Sequence, residues 1–289
     1  MPELPEVQTV CQGLNQLTVG KEIWGGDVLL PRTIAYPVSA VDFLAGLRGT
    51  AIAQWHRRGK YLLAELVAGE STTSPETASA GGWLGVHLRM TGQLLWLDSE
   101  EPLHKHARVR LFFEDGDELR FVDQRTFGQM WWVPPATPPE EVITGLQKLG
   151  VDPFSSDFSL KYLAKELKKR RRSIKTVLLD QAIVAGLGNI YADEALFLSH
   201  IRPTTLCTDL NVEQTLSLRA AIIQVLQTAI DAGGTTFSNF LNVQGVNGNY
   251  GGVAWVYNRT GEPCRVCRTR VQRLKLAGRS AHFCPKCQQ

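Results

Sequence analysis

The sequence predicts an α+β fold in which a strand-rich N-terminal region is followed by a helical region and a short metal-binding hairpin. Three observations support this prediction. Segments up to about residue 132 alternate apolar and polar residues or are continuously apolar, which is typical of strands. Later segments place apolar residues at helical spacing, and the chain ends with two Cys-x2-Cys pairs. A length of 289 residues favours two domains over one.

The strand-rich region contains one early helix and one candidate insertion. Residues 5–17 place apolar side chains on one helical face, whereas WLGVHLRMTGQLLWL, ARVRLFFEDGDELRFVD and QMWWV have strand patterns. Asp115-Gly116 is a hairpin signal between two of these strands. Residues 69–82 are rich in Ser, Thr, Gly and Ala, which predicts a flexible loop between two strands.

A proline-rich stretch separates the two regions. Four prolines between residues 134 and 139 punctuate the chain and predict an interdomain linker. After it, Ser159 is expected to cap a helix whose leucines share one face. Further helices are expected over residues 176–184, just after Asn189, and over residues 212–232, where two glycines follow.

Composition excludes several classes of protein. The chain is 44% hydrophobic and 20% charged, as soluble globular proteins are. It contains no apolar run near the roughly 20 residues that a membrane span needs. It opens with Met-Pro-Glu-Leu-Pro-Glu, where an export signal would have a basic and then an apolar segment. We therefore expect a cytoplasmic protein with no membrane partner.

The net charge of +3 conceals two basic segments. Residues 161–175 and residues 250–289 each carry +7, which leaves −11 for the rest of the chain. One such run by itself is more typical of a solvated helix face. Two runs in the C-terminal half, one of them around the cysteines, favour a polyanionic partner.

Four of the six cysteines form two pairs, Cys264-x2-Cys267 and Cys284-x2-Cys287. Their spacing predicts a tetrahedral Zn²⁺ site in which each pair supplies two thiolates from a tight turn. Two disulfides are the alternative, which the lack of an export signal makes weaker. Since all four ligands are sulfur, we expect one closed structural zinc site without metal catalysis, and a hairpin turning at Gly278 between the pairs.

The segment Ala185-Gly186-Leu187-Gly188-Asn189 is a candidate anion site between two predicted helices. Glycines allow a tight turn, Asn189 is a good N-cap, and backbone N–H groups at a helix start bind anions. Taken alone, this pattern is more often an ordinary helix–helix turn. Beside the basic run upstream, it becomes a candidate site for a DNA phosphate.

The amino terminus is a second candidate site. Removal of Met1 exposes the secondary amine of Pro2, and an α-amino group is far less basic than a lysine side chain. Such an amine can attack an electrophilic sugar carbon and form an imine, while the acid of Glu3 protonates the opening sugar. Composition alone gives no reason to prefer this chemistry to none.

Four motifs in order give the chain an end-to-end resemblance to the bacterial formamidopyrimidine-DNA glycosylase (Fpg/MutM) family: PELPEV, HLRMTG, GLGNIYADE and the four-cysteine module. The resemblance implies an N-terminal β-sandwich, a helix–two-turn–helix domain and a terminal zinc-finger β-hairpin. It implies a catalytic domain over residues 1–134, a linker over 135–150, a helix–two-turn–helix DNA-binding domain over 151–245, and a lesion-capping loop with the zinc finger over 246–289.

The resemblance also implies roles for individual residues. Pro2 would be the nucleophile that attacks C1′ of the damaged nucleotide, Glu3 the general acid/base, and Glu6 a supporting acid. The residues expected at the DNA backbone are Lys60, His106, Lys175, Asn189, Tyr191 and Arg279. Of these, Lys60 and Arg279 are expected to belong to the catalytic set with Pro2 and Glu3, because they would hold the phosphates beside the lesion. The residues expected to fill the space left by a flipped base, and so to offset its lost stacking, are Met90, Arg125 and Phe127.

The chain departs from the family pattern in three places. Thr126 stands where the family usually has Lys or Arg, so one phosphate contact is expected to be weaker. Residues 69–82 are longer than the usual turn and are expected to lie away from DNA. Residues 242–250 fall in the lesion-capping loop and diverge from its pattern, which leaves the base preference open.

The implied activity is that of a bifunctional DNA glycosylase and AP lyase of base excision repair. It would excise formamidopyrimidines and 8-oxoguanine from double-stranded DNA through a Pro2 imine, cleave the strand by β,δ-elimination, and act as a monomer in a bacterial cytoplasm. An endonuclease VIII-like enzyme for oxidised pyrimidines is the nearest alternative, which PELPEV and the set of Met90, Arg125 and Phe127 oppose. A DNA-binding protein without catalysis is another, which intact Pro2, Glu3 and Lys60 oppose.

Overall fold

The computed structural model describes residues 1–69, 81–235 and 240–289, and these residues form two compact units. The first unit contains Met1–Pro2, Glu6–Gln147 and the described part of Ser238–Gly248. The second unit contains Glu3–Pro5, the described part of Lys148–Phe237, and Asn249–Gln289. The loop expected over residues 69–82 lies largely outside the described residues.

Two sheets form the first unit, which confirms the predicted sandwich. One sheet has six strands in the order β1-β4-β5-β6-β10-β3, and only β3 and β10 run parallel. Its strands are β1 (Glu22–Ile23), β3 (Ile34–Tyr36), β4 (Thr50–Arg58), β5 (Tyr61–Ala68), β6 (Gly82–His87) and β10 (Gln129–Val133). The other sheet has the order β2-β8-β9-β7. Its strands are β2 (Gly25–Val28), β7 (Gly92–Asp98), β8 (Ala107–Phe112) and β9 (Asp117–Asp123).

The core of the first unit explains why its sequence alternates. Every second residue of β8 is buried, as expected for a strand with one face on the core. Helix α1 (Leu4–Thr18) contributes the apolar face that its periodicity predicts, and Val7, Val10 and Leu14 are fully buried there. A turn of 3-10 helix at Glu114–Gly116 joins β8 to β9, which confirms the hairpin signal.

Three short helices complete the first unit. Helix α2 (Ala40–Leu47) is capped by Ser39, whose hydroxyl accepts the N–H of Asp42. Helices α3 (Pro139–Val142) and α4 (Thr144–Gln147) follow the last strand. Ile143 and Leu146 are buried, so the segment that follows the proline-rich stretch packs on the first unit.

In the described residues, the second unit contains four α-helices. They are α5 (Leu160–Lys168), α6 (Ile174–Leu178), α7 (Asn189–Leu198) and α8 (Val212–Asp231). The Ser159 hydroxyl accepts the N–H of Tyr162, which confirms the predicted cap of α5. None of the helices in the described residues has the length and apolar character that a membrane crossing requires.

The helix expected over residues 176–184 was wrong at both ends. The helix starts at Ile174 and ends at Leu178. It ends there because the Asp180 carboxylate accepts the N–H of Ala182, which favours a turn over a further helical turn. Asn189 is the first residue of α7, and the cap position belongs to Gly188.

A two-stranded hairpin, β11 (Gln272–Leu276) and β12 (Arg279–Phe283), forms the end of the second unit. Ala277 and Gly278 connect the strands with φ values of 48° and 80°. Positive φ at both central residues is the geometry of the tight turn that matches strand twist. The predicted hairpin and its turn are therefore confirmed.

Candidate nucleic-acid interface

Pro2 lines a cavity of about 560 Å³ in the first unit. Met90 comes from the turn before β7, Gln93 from the start of β7, His106 from the segment before β8, and Asn247 from the described part of Ser238–Gly248. Cavities of this size accommodate small organic groups such as a nucleobase. The residue expected to be the nucleophile thus lies beside a space that a ligand can enter.

The side chains expected to fill a vacated base position are exposed on loops of the first unit. Met90 is 37% exposed and Phe127 is 53% exposed, although their residue types alone would place them in the core. The Arg125 guanidinium carbon lies 5.0 Å from the centre of the Phe127 ring. An exposed arginine stacked on an exposed aromatic ring offers a cation and an apolar face together, which is suited to contact with bases.

Asp123 holds the two loops that carry these side chains. One carboxylate oxygen accepts the Thr91 hydroxyl at 2.5 Å and the N–H of Arg125 at 3.2 Å. The other oxygen accepts the N–H of Gly128 at 2.7 Å. Asp123 is 1% exposed, so a buried acid fixes both exposed loops to the end of β9.

Lys60 and His87 lie together at the end of the six-stranded sheet. Lys60 precedes β5, and Tyr61 pairs with His87 across β5 and β6. His87 accepts the N–H of Arg89 at Nδ1, at 3.0 Å. Burial, together with the charges of Arg89 and Lys60, lowers the pKa of His87 to about 3. Sequence reasoning missed His87, although it opens the HLRMTG motif.

Glu6 and His106 have different surroundings in the first unit. The Glu6 side chain is fully buried in the first turn of α1. His106 is half-buried, and its Nδ1 lies 3.1 Å from the Arg108 guanidinium. Glu6 is therefore placed to support the start of α1, and His106 to line the cavity.

The Glu3 side chain lies at the start of α7 in the second unit. Its carboxylate Oε1 accepts the N–H of Ile190 at 3.1 Å, and the side chain is 3% exposed. A side chain at Gly188 would collide with that carboxylate, since a Cβ there would lie 2.2 Å from Cδ of Glu3. The positive end of the helix therefore holds Glu3 in the way that a capping side chain would.

The residues of the second unit that are expected to contact DNA phosphates differ in their exposure to solvent. Arg279 is exposed at the start of β12 and lines a cavity of about 220 Å³ with Arg172. Asn189 lies beside Tyr257, whose pKa is raised by burial and lowered by that neighbour, with burial the larger effect. Tyr191 is fully buried and packs edge-on against Tyr250, with ring centres 5.3 Å apart.

Lys175 is also buried in the second unit. Its ammonium group donates to Asp193 Oδ1 at 2.6 Å and to the Ser280 carbonyl at 2.5 Å. Burial lowers the pKa of Lys175, and the Asp193 charge opposes that effect. The sequence marked Lys175 as part of a basic run and gave no sign of these partners.

Glu194, also fully buried, attaches α7 to the segment that enters the cysteine module. It accepts the backbone N–H groups of Trp255, Val256 and Tyr257 at 2.7–2.9 Å, and the Tyr250 hydroxyl at 3.2 Å. Burial raises the pKa of Glu194, while these four donors act in the opposite direction. One carboxylate therefore satisfies three consecutive backbone donors.

The cysteine module fits a single zinc ion. The sulfur atoms of Cys264, Cys267, Cys284 and Cys287 all lie within 4.8 Å of one another. The Cys264–Cys287 and Cys267–Cys284 separations are 3.8 Å and 3.4 Å. A tetrahedron with Zn–S bonds of about 2.3 Å requires sulfurs roughly 3.8 Å apart, whereas a disulfide requires about 2 Å. The zinc prediction is confirmed, and the disulfide alternative is wrong.

The two remaining cysteines lie apart from this cluster. Burial raises the pKa of Cys11 and that of Cys207 to about 11 in each case. Such thiols stay protonated and unreactive at neutral pH. The cysteine chemistry of the described residues is therefore concentrated in the zinc module.

The architecture and the site define a class of protein: a β-sandwich unit whose amino terminus lines a cavity, followed by a helix–two-turn–helix unit with a zinc finger. Residues 1–130 match the formamidopyrimidine-DNA glycosylase N-terminal domain, residues 149–240 the formamidopyrimidine-DNA glycosylase H2TH domain, and residues 261–289 the zinc finger found in FPG and IleRS. The chain belongs to the formamidopyrimidine-DNA glycosylase family.

Individual relatives match over the full chain. It is 69% identical over 288 residues to the formamidopyrimidine-DNA glycosylase of Nostoc sp., with all of both chains covered. It also resembles the crystal structure of MutM (Fpg) from Thermus thermophilus, with a TM-score of 0.84, 35% identity and coverage of 99% and 98%. A complex of Lactococcus lactis Fpg with DNA containing an abasic site gives a TM-score of 0.87 and 34% identity, with 99% of each chain covered.

Proposed function

We propose that this chain is a bifunctional DNA glycosylase and AP lyase of base excision repair that removes formamidopyrimidines and 8-oxoguanine from double-stranded DNA. The observation that carries the proposal is the position of Pro2 beside a cavity of about 560 Å³. The names of its relatives support the substrate class. Met1 must be removed first, because only then is the Pro2 nitrogen a free secondary amine.

Pro2 and Glu3 divide the chemistry between them. The Pro2 nitrogen bonds to C1′ as the bond from C1′ to the damaged base breaks, and the base leaves with a proton. The acid of Glu3 protonates the sugar ring oxygen, and the opened sugar becomes an imine of Pro2. The anchored Glu3 carboxylate suits this role, because the N–H of Ile190 fixes its position.

Strand cleavage follows from the same imine. The imine withdraws electrons, so a base removes a C2′ proton and the 3′ phosphate leaves in β-elimination. A second proton loss expels the 5′ phosphate in δ-elimination. No redox or nucleotide cofactor enters this sequence of steps.

The remaining residues bind DNA or support the site. His106, Asn189 and Arg279 are proposed to contact the backbone, and Glu6 to support the start of α1. Lys60, which is 7% exposed, is proposed to contact it from the end of the six-stranded sheet. Lys175 and Tyr191 are buried, so we propose that they act on the clamp from behind its surface. Met90, Arg125 and Phe127 enter the duplex as the base leaves, and their exposure supports this role.

The wider expectations from the sequence stand as proposals. The matched ranges, residues 1–130, 149–240 and 261–289, support the proposed order of a catalytic domain, a DNA-binding domain and a zinc finger. The boundaries at 134, 150 and 245 are part of the proposal. Bacterial relatives support action in a bacterial cytoplasm, and we propose a monomer. The described part of the lesion-capping loop packs on the first unit, since Val243 is buried and its carbonyl accepts the N–H of Trp96.

Cleavage of defined duplexes tests the substrate class. Duplexes carrying 8-oxoguanine or thymine glycol opposite each of the four bases are incubated with excess enzyme, and single-turnover rates are compared. Faster excision of 8-oxoguanine is expected, with 3′ and 5′ phosphates at the gap. Faster excision of thymine glycol would assign the chain to oxidised pyrimidines, and binding without excision of either lesion would assign it to DNA binding alone.

A further inference from the structure

One buried carboxylate of α7 joins three separate parts of the second unit. Asp193 is fully buried, and its Oδ1 accepts the Lys175 ammonium of α6 at 2.6 Å. Its Oδ2 accepts the backbone N–H of His282 at 2.9 Å and lies 3.0 Å from Nδ1 of the same histidine. A side chain of α6 and the backbone of β12 therefore meet on a single acid of α7.

Lys175 closes this arrangement on the other side. Its ammonium donates to the carbonyl of Ser280 at 2.5 Å as well as to Asp193, and its side chain is 1% exposed. Ser280 and His282 are both in β12, so the strand is held at two points. Because both contacts involve backbone atoms, they fix the path of the strand itself.

Both fixed points lie between Arg279 and the zinc site, and the Lys175 contact is the one nearer to Arg279. Arg279 is the first residue of β12, directly before Ser280. Cys284 lies five residues further on, which is about 17 Å along an extended strand. The zinc site therefore fixes the base of the hairpin and leaves its tip to other contacts. The Lys175 contact, at Ser280, is one residue from Arg279, and the Asp193 contact, at His282, is three residues from it.

We propose that Asp193 is a positioning residue for DNA binding: through Lys175 and the backbone of β12 it sets the direction in which Arg279 meets a phosphate. The inference rests on the proposed function, because it takes Arg279 as a phosphate contact. Lys175 then contributes its charge to the interior and not to the DNA surface. Replacing a buried ion pair by apolar residues often leaves stability unchanged, so a role in fixing geometry is a physical reason to retain one.

A double-mutant cycle tests this inference with the full-length, zinc-loaded protein. Asp193→Asn keeps the size of the side chain and alters its hydrogen bonding to His282. Dissociation constants are measured for a duplex containing a tetrahydrofuran abasic-site analogue, which needs no chemistry. Asp193→Asn is expected to weaken binding about tenfold in the natural background. In the Arg279→Ala background, it is expected to weaken binding less than about twofold, because the residue that it positions is absent.

Two controls separate positioning from a loss of structure. Lys165→Ala removes an exposed basic residue of α5, and the tenfold effect of Asp193→Asn is expected to persist in that background. The slope of log Kd against log salt is expected to fall by about 0.9 for Arg279→Ala, as for one lost phosphate contact. The same fall is expected for Asp193→Asn. A variant that merely folds poorly leaves this slope unchanged.

An equal loss of affinity in the natural and Arg279→Ala backgrounds would overturn the inference. If Asp193→Asn fails to retain zinc, Lys175→Met takes its place in the same cycle, with the same expected non-additivity. Failure of the imine chemistry is distinguishable, because the cycle measures binding alone. A protein that binds no abasic-site duplex would contradict both the inference and the proposed function.

Discussion

The two units differ in where the side chains that matter for each of them lie. The first unit presents Met90 and Phe127 on exposed loops, with one buried acid, Asp123, fixing the backbone beneath them. The second unit buries Asp193 and Glu194 completely and uses them to hold the zinc module. Exposed apolar side chains contribute little to stability, whereas a buried charge without its partners is costly. Substitutions in the two units should therefore separate activity from stability.

The largest effect is expected from Glu3→Gln, which tests the acid at the start of α7. The glutamine carbonyl can still accept the N–H of Ile190, so the position is kept while the proton donor is lost. Excision of 8-oxoguanine is expected to slow by about 10²–10⁴-fold, with DNA affinity changed less than about threefold. Single-turnover rates and dissociation constants check this. Unchanged excision by the variant would remove Glu3 from the acid role.

Phe127→Ala tests the exposed side of the comparison. Loss of the ring removes stacking that offsets base flipping, so excision is expected to fall by about 10–100-fold. The free energy of unfolding should change by less than about 0.5 kcal/mol, because the side chain is 53% exposed. The matched control is Val38→Ala, an apolar residue of the same unit that is 84% exposed, and it should leave excision unchanged. Equal losses of activity in both variants would contradict the account.

Glu194→Gln tests the buried side of the comparison. In the natural protein, three backbone N–H groups and the Tyr250 hydroxyl donate to the two carboxylate oxygens of Glu194. The glutamine side chain has only one oxygen to accept them. The free energy of unfolding is expected to fall by about 1–3 kcal/mol, and excision per folded molecule by less than about threefold. Urea unfolding of the zinc-loaded protein measures the first quantity. Glu213→Gln, at an exposed position of α8, is the control and should be neutral.

His87 is a buried group of the first unit whose charged neighbours, Arg89 and Lys60, oppose its protonated form. Its pKa is about 3 in the folded chain, below the ordinary histidine value near 6.5. Between these two pKa values, the unfolded chain binds one more proton than the folded chain. The free energy of unfolding therefore falls as pH drops, by at most about 1.4 kcal/mol per pH unit. Between pH 7 and pH 5, His87 is expected to account for about 2 kcal/mol of lost stability.

His87→Asn isolates that contribution. Asparagine can accept the N–H of Arg89 through its carbonyl but does not titrate. Urea unfolding of both proteins at pH 7.5, 6 and 5 gives the difference, in which any loss of zinc at acid pH cancels. Parallel pH profiles of the two proteins would contradict the lowered pKa of His87.

Local patterns predicted most of the fold because the elements concerned depend on local contacts. The apolar face of α1, the Ser159 cap and the Ala277-Gly278 turn each involve residues a few positions apart. The end of α6 was missed because the Asp180 carboxylate competes for a nearby N–H group. At α7, Asn189 was taken for the cap because nothing local shows that Glu3 supplies the acceptor.

The candidate site was only partly predictable for the same reason. Motifs identified Pro2 and Arg279, because the proposed roles of an N-terminal secondary amine and of a guanidinium follow from the residue type itself. Asp193 and His282 are 89 positions apart, and Lys175 and Ser280 are 105 apart, so their pairing depends on the folded chain. Similarly, Tyr191 and Lys175 are buried in the structure. Their residue types and their positions in the sequence do not show this.

Trapping with borohydride tests the central claim most directly, namely that Pro2 forms an imine with DNA. The protein with a free Pro2 is incubated with an 8-oxoguanine duplex and sodium borohydride, and the adduct is mapped by peptide mass spectrometry. We expect a covalent adduct on Pro2 and none when an uncleaved N-terminal tag blocks its nitrogen. An adduct on another residue, or equal trapping and turnover with the terminus blocked, would contradict the account.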